Sequence, residues 1–247
     1  MTAFISPPFW WTTPRPCAHQ NQCKPPSNLY FLYFLLFSNF VFQGMERILL
    51  VRNMQIRLDL YDQSTYSRGR SAWVVILWDV VQQVLIHPSP HPCYGWRRFW
   101  YRCFGARIGR GVLIRKSVTC NYPWKLTIGE YAWIGDGATL YALAEIEIGA
   151  HAVVSQHVYL CTGTHDHRDP CFGLIVKPVR VASSAWVALG ALVLPGVTIG
   201  EGALIAARSV VTRDAASWMV HCGSPAVPTG PRHLRAVADG AVPDGGQ

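Results

Sequence analysis

The chain has 247 residues, half of them hydrophobic and 15% charged, with ten each of Trp, Tyr and Phe. This composition excludes a disordered chain and is ample for a substantial core. The formal net charge of +8 points to an anionic partner, an acidic membrane surface or a phosphorylated small molecule. The lack of RNP, zinc-finger and helix-turn-helix patterns argues against nucleic acid.

Residues 1–53 read as an extension, disordered or not native. They open with "SPPFWWTTPRPCAHQNQCKPPSN", rich in Pro and Asn and without periodicity, followed by the apolar run "LYFLYFLLF", Leu29 to Phe37. The run is short of the roughly 20 apolar residues of a spanning helix. It also lacks the adjacent basic region and small-residue cleavage site of a signal peptide. Two readings remain: a membrane-associating segment, or translated sequence upstream of a natural start at Met45 or Met54. The second is favoured.

Residues 54–107 read as an N-terminal helical cap. "AWVVILWDVVQQVLI", Ala72 to Ile86, is apolar apart from Asp79, Gln82 and Gln83. It predicts a buried or surface-docked helix, ended by the prolines of "HPSPHP". In "YGWRRFWYRCFGARIG", Arg97, Arg98, Arg102 and Arg107 alternate with Trp96, Phe99, Trp100, Tyr101 and Phe104. Such a segment lies on an anionic membrane, or it packs its aromatics onto the domain and leaves its arginines in water. The second reading is preferred, because a solenoid end needs covering.

From residue 108 to 218 the chain is a repeat. Aliphatic residues fall six apart at Ile108 and Ile114, at Ile128, Ile134 and Leu140, and at Ile148, Val154 and Leu160; they resume from Val181 to Val211. Small or β-branched residues follow four positions later, from Val112 to Ser209, and glycine follows directly at Gly109, Gly129, Gly135, Gly149 and Gly200. Two superimposed six-residue periods predict an all-β solenoid, a left-handed parallel β-helix. Three units make a triangular coil with the aliphatic residue inward and the small one near the corner. Glycine is expected to supply unusual turn dihedrals. Residues 219–247 read as a C-terminal tail. The eight cysteines form no C-x-x-C pair and read as small core hydrophobes in a reducing compartment.

The repeat breaks between Leu160 and Val181, and the break carries "TGTHDHRDP", with His165, Asp166, His167, Arg168 and Asp169. A loop thrown out from a rigid solenoid is a usual place for function. An imidazole titrates near neutrality and suits a general base. Metal ligation is the competing reading, but His151 and His157 lie one hexapeptide apart, on different faces, and cannot converge with the loop in one subunit. A solvated polar loop without chemistry is the third.

Taken with "LYDQSTYSRGR", "YPWKLTIGEYAWIGD", "AWVALGALVLPGVTIGEGALIAARSVVTRD" and "GSPA", the chain resembles the hexapeptide-repeat acyltransferases over roughly residues 60–225. Within them it is similar to the colanic-acid-biosynthesis type of acetyltransferase. The resemblance implies a homotrimer with acetyl-CoA bound between neighbouring β-helices and no metal. His165 would be the general base, drawing a proton from an acceptor hydroxyl that attacks the thioester directly, with a backbone N–H steadying the oxyanion. Trp186 would line the site, and Asp166, His167 and Asp169 would orient the loop or contact the acceptor. Coenzyme contacts carry over to Ala188, Ala207, Thr212 and Arg213.

The implied acceptor is a sugar or lipid-linked glycan of exopolysaccharide biosynthesis. The implied location is the cytoplasm, with peripheral contact at the inner face of the membrane. The alternatives are a non-catalytic trimeric scaffold and a metal-dependent β-helix enzyme of the γ-carbonic-anhydrase kind. Departures from the family pattern are Ala182 and Ala188 at glycine positions, and Ser224 where asparagine is usual. The stretch "IGDGATLY" lacks the family's acceptor-binding asparagine, which leaves the identity of the sugar open.

Overall fold

The structure, a computed structural model, describes residues 55–235. The extension with its Leu29–Phe37 run, Cys17 and Cys23 falls outside the described residues. Three parallel sheets form the faces of a triangular β-helix. The first face stacks Arg107–Ile108, Leu126–Ile128, Ile146–Ile148, Val179–Val181 and Thr198–Ile199. The second stacks Leu113–Ile114, Trp133–Ile134, Val153–Val154, Trp186–Val187 and Leu204–Ile205. The third stacks Thr119–Cys120, Thr139–Tyr141, Tyr159–Cys161, Leu192–Val193 and Val210–Val211. A sixth turn begins where Ala215 bridges Ile199. Met219–Gly223 then adds to the second face beside Leu204–Ile205, and Ala226–Pro231 pairs back on it antiparallel. The stretch expected to be a tail from residue 219 thus continues the sheet as far as Pro231.

The register stacks like on like. Ile108, Ile128, Ile148, Val181 and Ile199 lie over one another, and Ile114, Ile134, Val154, Val187 and Ile205 do the same on the second face. All are buried, as are the small corner residues from Val112 to Ser209. Full burial of one such aliphatic side chain contributes about 1.5–3 kcal/mol, and no coil achieves it without its neighbours. Cys120 fills an aliphatic position in this core, and burial pushes its thiol up to about 12. The other described cysteines depart from expectation: Cys93, Cys161 and Cys171 are half-buried, and Cys103 and Cys222 are exposed.

The glycines after the aliphatic positions correct a second expectation. They have ordinary negative φ. A Cβ on Gly129 or Gly149 would lie 2.4 Å from a backbone nitrogen of the next coil, so close approach between coils requires them. Ala182 and Ala188 nevertheless keep their ladder hydrogen bonds at 2.9 Å. The left-handed conformation is adopted two residues further on. There Tyr131, His157, Arg208 and Trp218, at φ between 55° and 61°, lie against Gly111, Gly137, Gly190 and Gly202 of adjacent coils.

The cap consists of α1 (Ala72–Val81), which runs into a π-helical turn (Gln82–Ile86), and α2 (Tyr94–Cys103). It closes the open edge of the first coil, whose unpaired backbone groups need partners. Trp78 Nε1 donates to the Cys120 carbonyl at 2.7 Å, and Gln82 Oε1 accepts from the Cys120 N–H at 3.0 Å. Arg97 Nε donates to Ile114 O at 2.6 Å, Arg98 to Val112 O at 2.8 Å, and Arg102 to Ile108 O at 2.7 Å. The expectation that this segment packs its aromatics onto the domain and leaves its arginines in water thus holds for Tyr101, Trp100 and Phe104, which pack on the core, and for exposed Arg102 and Arg107, and fails at three other positions. Arg97 is fully buried, whereas Trp96 and Phe99 are exposed. The edge carbonyls need donors that rings cannot provide.

Candidate active site

The corner between the third and first faces carries the irregular insertions of the early coils. In the first coil it holds the turn Pro123–Lys125, in the second the residues around Leu143, and in the third the long excursion. The N-terminal segment is pinned along the same corner. Arg57 N–H donates to Pro170 O at 2.7 Å, Tyr66 Oη to Leu143 O at 3.0 Å, and Trp124 Nε1 to Arg68 O at 2.7 Å. Lys125 Nζ donates to Ser67 O and Leu143 O, so that segment, insertion and coil are tied at one ammonium. Burial works against the Lys125 charge and lowers its pKa.

The excursion is a hairpin. Gly163–His165 pairs antiparallel with Leu174–Val176, placing His165 opposite Leu174. Its base is fixed by buried Thr162, whose Oγ1 donates to Tyr141 O at 2.6 Å and whose carbonyl accepts from Lys177 N–H at 2.9 Å. The tip is organised by its own carboxylates. Asp169 accepts from the N–H groups of Cys171 and Gly173, each at 2.9 Å, and Asp166 Oδ1 accepts from Arg168 N–H at 2.9 Å. Both carboxylates thus bond to backbone N–H groups of the loop itself. His167 and Arg168 are exposed.

His165 is half-buried, its ring stacked on Phe172 at 4.2 Å between centroids and tilted against Tyr61 at 5.6 Å. Its Nδ1 lies 2.8 Å from the Phe172 carbonyl oxygen. A carbonyl can only accept, so Nδ1 carries the proton and the neutral ring presents Nε2 as its lone pair. The imidazole is therefore oriented and its tautomer fixed without a carboxylate partner. Sequence reasoning missed Tyr61 and Phe172. The motif "LYDQSTYSRGR" was legible as distinctive, but nothing in it indicates that Tyr61 reaches a histidine 104 positions later.

The remaining candidates lie elsewhere on the prism. Trp186 projects from the second face, with its indole N–H donating to Ser155 Oγ at 2.9 Å. Ala188 and Ala207 sit at the corner following that face, in successive coils. Thr212 and Arg213 are exposed at the hairpin's own corner, two coils further along. The second face is opposite the hairpin corner in a triangular cross-section. One chain therefore brings His165, Asp166, His167 and Asp169 together and holds Trp186 apart from them. His151 and His157 likewise stand at two different corners.

The outer ladders of the faces differ in chemistry. The first presents Arg107, Thr127, Glu147, Arg180 and Thr198, with Arg180 paired to Glu147 at 3.1 Å. The second presents Leu113, Trp133, Val153, Trp186, Leu204 and Val220 without a polar member. A cavity of about 380 Å³ lies on this face, with Trp133, Tyr94, Arg115, Ser155 and Gln156 in its lining. Arg115 pairs with Asp136 at 2.6 Å, and Ser117 Oγ donates to the same carboxylate at 2.8 Å. Burial opposes the Asp136 charge, but these two partners outweigh it and hold its carboxyl below the usual range.

No protein-family profile matches the chain. It is 49% identical over 160 residues to the colanic acid biosynthesis acetyltransferase WcaF of Escherichia coli, covering 65% of this chain and 88% of that one. Nodulation protein L of Rhizobium meliloti is 34% identical over 134 residues, 53% of this chain and 73% of the relative. Among solved structures, a hexapeptide-repeat acetyltransferase of Vibrio cholerae complexed with acetyl coenzyme A superposes with a TM-score of 0.61. Its sequence identity is 23%, and the match covers 67% of this chain and 92% of that one. A galactoside acetyltransferase in complex with coenzyme A gives 0.60 at 19% identity, over 65% and 82%. These solved structures share the solenoid, and the identity to WcaF over most of its length fixes the family: the chain belongs to the hexapeptide-repeat acetyltransferases.

Proposed function

We propose that the protein transfers acetyl from acetyl-CoA to a sugar hydroxyl of an exopolysaccharide intermediate, in a pathway like that named for its WcaF relative. The observation that carries this reading is His165, whose Nδ1–H is committed to the Phe172 carbonyl. Its Nε2 accepts the proton of the acceptor hydroxyl as the oxygen attacks the thioester carbonyl. The tetrahedral intermediate collapses with cleavage of the C–S bond, and the coenzyme thiolate takes the proton back from Nε2. No acyl-enzyme forms.

The active unit in this reading is a homotrimer. The unbroken apolar ladder of the second face supports it, since a monomer leaves Trp133 and Trp186 roughly half exposed. Packing that face near a neighbour's hairpin corner is the arrangement that lets Trp186 approach His165. Ala188, Ala207 and Thr212 then border a groove between chains, and the exposed guanidinium of Arg213 suits a coenzyme phosphate. The acceptor is a sugar or lipid-linked glycan.

The test is coenzyme-thiol release by the purified full chain, against a panel of sugars and lipid-linked glycans. His165→Ala is expected to lose about 10²–10⁴ in kcat while keeping its oligomeric state. Equal turnover in both proteins rejects His165 as the base. Absence of turnover with every acceptor, together with absence of coenzyme binding, replaces the enzyme reading with the scaffold.

A further inference from the structure

We infer that the outer surface of the helical cap docks onto a bilayer rich in anionic headgroups. The inference is independent of acetyl transfer and starts from α1. Its inner side, Trp78, Val81 and Ile86, is buried against the first coil. Its outer side is equally apolar. Trp73, Ile76, Leu77, Val80 and Val84 recur on one helix face, each more than half exposed, with Trp73 at 80%. A helix apolar on both sides is normally buried on both. Among the described residues nothing covers this stripe.

The stripe does not end with the helix. Val84 leads into a groove lined by Leu85, Pro88, Pro90 and Trp96. Trp96 stacks on Phe99 of α2, both well exposed, while its indole N–H donates to Leu85 O at 2.8 Å. The ridge is thus aliphatic along its length with a tryptophan near each end, the composition of segments that settle at a headgroup boundary.

Charge selects the partner. The arginines of α2 bond only to neutral oxygens. Arg97 reaches Ile114 O, Ser89 Oγ, Pro90 O and His91 O; Arg98 reaches Val112 O; Arg102 reaches Ile108 O and Gly109 O. None of them joins an ion pair among the described residues. From Arg68 to Cys103 the chain holds five arginines against the single carboxylate of Asp79. Arg97 is buried, but Arg68, Arg70 and Arg102 are exposed and Arg98 is half-buried, so cations without a carboxylate partner lie beside the apolar ridge within reach of an anionic surface. A second copy would face arginines with arginines. The uncharged Leu29–Phe42 stretch of this chain would leave the cations unanswered.

The experiment is co-sedimentation of the full chain with vesicles of phosphatidylcholine alone and of phosphatidylcholine mixed with phosphatidylglycerol. Binding is expected to the mixed vesicles, to weaken with salt, and to fall at least about tenfold in a double variant carrying Ile76→Glu and Val80→Glu. Trp73→Ser replaces that variant if it melts below the parent. Binding to neither vesicle, equal binding to both, or parental binding by a folded variant overturns the inference. A variant that loses oligomeric size with vesicle binding unchanged assigns the stripe to a second copy instead. Binding that appears only after residues 1–54 are removed assigns it to the chain's own apolar run.

Discussion

The coil stack and the hairpin corner are made of the same chain but held by different physics. In the stack, identical positions lie over one another, and each core residue of the inner coils is supported from above and below. At the corner, nothing repeats. The hairpin, the insertion at Leu143 and the N-terminal segment are joined by isolated hydrogen bonds, mostly from side chains to backbone, and by the contact of Tyr61 with His165. Stability thus resides in the repeat and, in the proposed reading, chemistry in its interruption, and a change in either should leave the other nearly untouched.

The sharpest way to break this division is inside the stack. Ile148→Ala, in the middle of the first-face ladder, should cost about 2–5 kcal/mol in urea denaturation, with turnover per folded molecule unchanged. A matching loss of turnover would mean that stack and corner are one cooperative unit. Asp169→Ala attacks the other side, freeing the N–H groups of Cys171 and Gly173. Loss of an anchor worth about 1.5–3 kcal/mol in the loop alone predicts at least a tenfold fall in kcat, with the melting temperature of the stack held.

These two residues also mark what the sequence makes legible. Ile148 could be placed by counting sixes, because an inward position in a solenoid is a periodic property. The hairpin could be located as the place where counting failed, and His165 could be singled out within it. The role of Asp169 as a clasp on two backbone amides, and the approach of Tyr61 to the imidazole, have no period and connect segments far apart in the chain. Arg97 of α2 misled for a related reason. Its charge suggests water, but the first coil's unpaired carbonyls compete for it, and that demand is visible only once the coil has an edge.

Two smaller effects refine the comparison. Tyr61→Ala removes one wall of the His165 ring. An aromatic contact of about 0.5–1.5 kcal/mol predicts a fall of about twofold to tenfold in kcat/KM, restored by Tyr61→Phe, whereas a hydroxyl role would leave the phenylalanine variant impaired. The smallest effect belongs to Arg115 and Asp136. The folded-state pKa of Asp136 is depressed, so the stabilisation is complete above the ordinary carboxylate range and lost as pH falls through and below it. Both side chains are about one-third exposed, which keeps the pair under about 1 kcal/mol. The stability difference between the parent and Asp136→Asn should therefore be present at neutral pH and vanish in acid. A difference that persists at low pH would refute the ion-pair origin.

The alternation of ring and glycine along the corners carries a consequence for how such a protein can change. A Cβ on Gly111 would sit 2.3 Å from the Tyr131 ring, one on Gly137 2.5 Å from the His157 ring, and one on Gly202 2.5 Å from the Trp218 ring. Each coil therefore accepts only particular neighbours, although the interiors of all of them are nearly interchangeable. Tyr131 lies against Gly111 on one side and stacks on the His151 ring at 5.4 Å on the other, so a ring at this corner meets either a glycine or a parallel ring. The rungs of this ladder look alike from within, yet they are numbered along the outside. Lengthening or shortening the solenoid is a change of spelling as well as of size.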